Sequence, residues 1–66
     1  MRITVNGDIR DVADGATVAD VLTVLGLPTT GIAVALDGEV VPRAAHVATP
    51  VSAGAVLEVL TAVQGG

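Results

Sequence analysis

Sixty-six residues make one small domain, with little room for an enclosed active site. Seven acidic residues against three basic ones give a net charge of −4, which repels phosphate backbones and anionic lipid alike, so nucleic acid and membrane surfaces are poor partners. Cysteine is absent and His46 is the single histidine, which argues against a disulfide scaffold, a thiolate nucleophile, an iron–sulfur cluster and the common zinc sites.

The lack of Phe, Tyr and Trp leaves an aliphatic core and removes the stacking surface used by single-stranded nucleic acid binders. Despite the high hydropathy, the longest uncharged run, Val21 to Leu36, is broken by Gly26, Pro28 and Gly31 and falls short of the ~20 residues needed to span a bilayer. Met1 to Asn6 carries Arg2 with no apolar stretch behind it, so no cleavable signal is expected and a cytoplasmic location is the default.

Met1, Ile3 and Val5 alternate with Arg2 and Thr4, the period of a half-buried strand. Asn6-Gly7 is a hairpin signal, because a type I′ turn needs positive φ at both central residues. A second strand is expected over Asp8 to Val12, closed by a turn at Asp14-Gly15. From Thr17 the period changes: Val18, Val21, Leu22 and Leu25 form one apolar stripe on a helix. Thr17 can cap the first turn, Asp20 suits the positive end of the helix dipole, and Gly26 with Pro28 ends the helix.

Ile32, Val34 and Leu36 alternate with Ala33 and Ala35, which predicts a strand apolar on both sides and central in its sheet. Asp37-Gly38 turns the chain, Glu39 to Val41 returns it, and Pro42 limits further pairing. Arg43 to Ser52 lacks a period and reads as loop and short irregular structure. Ala53-Gly54 is a last turn before a strand over Val56 to Val63. Gln64, Gly65 and Gly66 then project as a flexible tail, reaching on the order of 10 Å when extended. The expected fold is α+β, a mixed sheet of four or five strands with one main helix on one face in the β-grasp layout of ubiquitin-like proteins. Residues 1–63 form its domain and 64–66 its tail.

These residues resemble the ThiS-like sulfur carriers of thiamine-thiazole biosynthesis. The resemblance rests on the strand ending in Asn6, Gly15-Ala16-Thr17-Val18 with Val21-Leu22, Ile32-Ala33-Val34-Ala35, Val41-Pro42-Arg43, and Gly54 before the strand that runs into Gly65-Gly66. Asp37, His46 and Ala55 depart from the family's usual residues. The resemblance implies that the Gly66 carboxylate is adenylated by an E1-like adenylyltransferase of the ThiF or MoeB type, using ATP and magnesium bound by that partner. Sulfur from a persulfide donor then yields a thiocarboxylate, which thiazole synthase of the ThiG type consumes. On this resemblance the chain is expected to bind no cofactor or metal of its own and to act as a carrier and substrate, not an enzyme.

A terminal carboxylate is ionised and a poor electrophile at neutral pH, so activation is required before sulfur can enter. A side chain at Gly66 would crowd the reacting carbonyl, and one at Gly65 would crowd a partner's tunnel. Leu60 and Ala62 fall on the face opposite Leu57, Val59 and Val63 in an alternating strand. They form either an apolar docking strip beside the tail or part of a strand covered on both faces, and Val63, Gln64 and Gly65 are further candidate partner contacts. Arg43 is either a partner contact or a solvated loop cation. His46 has no companions for catalysis, and Asp8, Asp11, Asp14 and Asp20 read as a solvated acidic face without calcium spacing. The other readings are a carrier for molybdopterin synthase, cysteine synthesis or tRNA thiolation, and a β-grasp interaction module whose tail is incidental.

Overall fold

The computed structural model describes residues 1–61. Two hairpins are built on the same turn. Asn6 and Gly7 have φ of 50° and 85°, and Asp37 and Gly38 have φ of 50° and 85°. Both central residues of each turn are therefore left-handed, the type I′ geometry whose twist matches that of the flanking strands. The first turn joins β1 (Arg2–Val5) to β2 (Asp8–Asp11), and the second joins β3 (Ile32–Leu36) to β4 (Glu39–Val41).

Between the hairpins lies α1 (Val18–Val24), seven residues long. So short a helix is marginal alone, and its ends are fixed by side chains and neighbours. Thr17 and Asp20 form a reciprocal capping box: the Thr17 N–H donates to Asp20 Oδ2 at 2.9 Å, and the Asp20 N–H donates to Thr17 Oγ1 at 3.2 Å. The next two amides, of Val18 and Ala19, donate to the carbonyls of Thr49 and His46. At the other end the Leu27 N–H donates to Leu22 O and the Gly26 N–H to Thr23 O, a Schellman pair with Gly26 at φ 68°.

The segment read as irregular holds a 3-10 turn, Arg43–Ala45, and an isolated bridge between Thr17 and Pro50. It seats the start of the helix. β5 (Val56–Thr61) then enters the middle of a five-stranded sheet, in the order β2-β1-β5-β3-β4. It runs parallel to β1, with Val5 level with Leu57, and antiparallel to β3, with Val34 opposite Val59. The mixed sheet with one helix agrees with the α+β, β-grasp reading.

One face of that sheet is covered. Ile3, Val5, Val34, Val41, Leu57 and Val59 point inward and pack with Val18, Val21 and Leu22 of the helix in one aliphatic cluster. The other face is open, and one expectation is corrected. β3 is interior but not central, since β5 holds the middle; and its two apolar sides are covered unequally, because Val34 is buried while Ala33 is exposed. A single seven-residue helix can cover only one side, so Ala33 opposite it meets solvent and Ala35 is only half-buried. The second strand also ends earlier than expected, at Asp11, and all four of its residues are exposed. Its edge charges, Asp8, Arg10 and Asp11, discourage pairing with a further strand.

Candidate functional site

The middle strand of the sheet is the one that runs toward the terminal diglycine, so its exposed face is the natural place to look for a docking surface. Along β5, Leu57 and Val59 are buried while Val56, Glu58 and Leu60 are exposed. Leu60 stands opposite Ala33 and Glu58 opposite Ala35, which in turn lies opposite Val40 of β4. The two alanines are short, and the larger residues around them form the rim of a shallow depression of about 130 Å³ lined by Ala33, Ala35, Val40, Glu58 and Leu60. Leu60 is 66% exposed and Val40 78%. An apolar hollow with one carboxylate on its rim suits a partner that brings an aliphatic side chain and a cation.

Of the two readings of the final strand, cover on both faces is excluded up to Thr61. The residues of this face that sequence reasoning missed, Ala33, Ala35, Val40 and Glu58, were hidden because β3 reads as apolar on both sides, a pattern that does not say which side the helix covers. Their signal was present in the small size of both alanines and in the exposed position of Val40 on an edge strand.

Arg43 is exposed and makes no ion pair among the described residues. Arg43 lies two residues beyond the end of β4, where it opens the 3-10 turn. It does not share a face with Leu60, because it lines a recess of about 250 Å³ on the helix side with Leu22, Thr23, Thr29 and His46. His46 itself is buried, its Nε2–H donating to the Val41 carbonyl at 3.2 Å. That bond ties the crossover to the end of β4 and accounts for a buried imidazole in a site without catalytic companions.

The acidic side chains have local roles. Asp20 caps the helix, Asp11 meets Arg2 at 3.5 Å in an exposed pair worth little, and Asp14 lies 3.3 Å from the Met1 ammonium. Among the described residues no group of three or more His, Asp or Glu side chains could hold a metal ion. Among the described residues no helix is long and apolar enough to cross a membrane. Gly66, Gly65, Gln64, Val63 and Ala62, the residues assigned to reaction and tail contacts, lie outside the described residues.

The comparison with known families decides what this sheet belongs to, since the model of the ThiS family matches residues 3–66. The chain belongs to the ThiS family. Its structure is similar to the crystal structure of a thiamine biosynthesis protein, ThiS, from Geobacter metallireducens, with a TM-score of 0.86 and 36% identity over all of both chains. The solution structure of a thiamine biosynthesis protein from the same organism superposes with a TM-score of 0.79, again at 36% identity, over all of this chain and 88% of that one. No curated protein matches the sequence. Membership bears out the resemblance read from Val41-Pro42-Arg43 and the diglycine. It supports a sulfur-carrier role.

Proposed function

We propose that this ThiS-family chain carries sulfur on the Gly66 carboxylate for thiazole formation in thiamine biosynthesis. The observation that carries this reading is the family match, which runs through residue 66 and so includes Gly65-Gly66. The full-length similarity to a thiamine biosynthesis protein favours thiazole over the other recipients. In the proposed cycle a carboxylate oxygen of Gly66 attacks the α-phosphate of ATP on the activating partner and pyrophosphate leaves. Partner-bound magnesium and cations offset the phosphate charge. Persulfide sulfur then displaces AMP, and a thiol reduces the resulting acyl-persulfide linkage to free the thiocarboxylate for thiazole synthase. The chain supplies the reacting carbonyl and the surface by which it is held, and the partners supply the rest.

The open face supports the docking half of this reading. Leu60, Val40 and the Ala33–Ala35 floor offer a partner an apolar seat beside the strand that precedes the diglycine, and Arg43, exposed on the helix side, offers a separate cation. Intact mass spectrometry after incubation with the activating enzyme, ATP, magnesium and a persulfide donor tests the cycle. Replacement of one terminal oxygen by sulfur is expected. An unchanged mass with a partner active on another carrier would remove the proposal.

A further inference from the structure

Asn6 is the chain's only asparagine, and glycine follows it. Its side chain finishes the β1–β5 ladder. The Asn6 N–H donates to Leu57 O at 3.0 Å, as a parallel strand residue should. The chain then turns away, and the carboxamide takes over: Nδ2 donates to the Val59 carbonyl at 3.0 Å, and Oδ1 accepts from the Val59 N–H at 2.8 Å. Asparagine side chains before glycine are chemically labile because the unhindered glycine nitrogen can reach the side-chain carbonyl carbon. Here that carbon belongs to a carboxamide held at both ends by another strand.

We infer that Asn6-Gly7 is a spontaneous deamidation site gated by the Asn6–Val59 clamp, so that the fold protects it and any opening of β1 from β5 exposes it. In the open state the Gly7 nitrogen gives its proton to solvent base and attacks Asn6 Cγ. The Cγ–Nδ2 bond breaks, ammonia leaves, and a five-membered imide forms. Water adds to either imide carbonyl and opens the ring to aspartate or isoaspartate. One water is consumed and one ammonia released, with no oxidation or reduction. The change is one-way for the clamp. A carboxylate still accepts from the Val59 N–H, but it cannot donate to the Val59 carbonyl and sets a negative charge against it. Each molecule that opens and reacts therefore returns with a weaker grip on β5, the strand that leads to the diglycine.

The test needs only the unmodified protein, incubated at mildly alkaline pH in native buffer and in parallel in denaturing urea, then digested with trypsin. The peptide Ile3–Arg10 contains Asn6 and is separate from Gln64. Its conversion from amide to acid is followed by mass, a readout blind to isomerisation at Asp14-Gly15 and Asp37-Gly38. Two clamp hydrogen bonds predict conversion slower in native buffer by roughly tenfold or more. Equal rates in the two conditions would overturn the gating, and an unreacted Asn6 in urea would overturn the site. Deamidated protein, separated by its added negative charge and refolded, should unfold at a lower urea concentration. An unchanged midpoint would show that the clamp contributes nothing. None of these readouts depends on sulfur transfer.

Discussion

The Asn6 carboxamide stands in for a peptide unit against Val59, donating to its carbonyl at 3.0 Å and accepting from its N–H at 2.8 Å. Across the same strand Asp37 performs half of that task. Its backbone N–H donates to Val56 O at 2.8 Å, and its Oδ1 accepts from the Val56 N–H at 2.9 Å. The antiparallel position supplies its donor from the backbone, so an acceptor side chain is enough. The parallel position needs both a donor and an acceptor. This explains amide at one I′ turn and acid at the other.

Asn6→Asp is expected to cost about 1–3 kcal/mol, since it leaves the Val59 carbonyl without its donor and faces it with a charge. Asp37→Asn keeps the acceptor and should change stability by less than about 0.5 kcal/mol. Urea unfolding of both variants checks the asymmetry, and equal losses would contradict it.

The two faces of β5 should respond differently to truncation. Leu57 is fully buried at the centre of the core, so Leu57→Ala should cost about 2–5 kcal/mol. A domain of this size holds only about 3–10 kcal/mol in total, so that variant should be near its unfolding midpoint at 37 °C. Leu60→Ala should stay within about 0.5 kcal/mol of the parent by thermal melting.

Leu60→Glu should likewise fold, yet add a second carboxylate beside Glu58 on the open face. Binding to the activating partner should weaken by about 1–3 kcal/mol through lost apolar contact and like charge. Isothermal titration checks this, and unaltered affinity would move the docking surface elsewhere.

Gly65→Ala should leave the unfolding midpoint unchanged while adenylation falls on the order of 100-fold, because a small displacement of the reacting carbonyl is enough to forfeit alignment. Pyrophosphate release by the activating partner measures it. Turnover at the parent rate would remove the clearance argument for Gly65.

Gly26→Ala tests the helix end. Open space surrounds an added Cβ, so the cost is conformational alone, about 1–2 kcal/mol at φ 68°. A neutral result by urea unfolding would mean that the Schellman turn relaxes at no cost.

Much of this protein was legible in its sequence because the signals are local. Asn6-Gly7 and Asp37-Gly38 mark turns through their φ requirements, Thr17 and Asp20 are three residues apart as a capping box demands, and the stripe from Val18 to Leu22 has helical period. The family resemblance came from short motifs of the same kind. Tertiary structure alone decided that β5 takes the middle of the sheet, that Ala33 and Leu60 meet on an open face, and that Arg43 points to the helix side. It also decided which turn needs an amide. Hydropathy records what a residue can tolerate, whereas burial depends on how far one short helix reaches. A clamp between residues 53 apart in sequence exists only once β1 and β5 lie side by side.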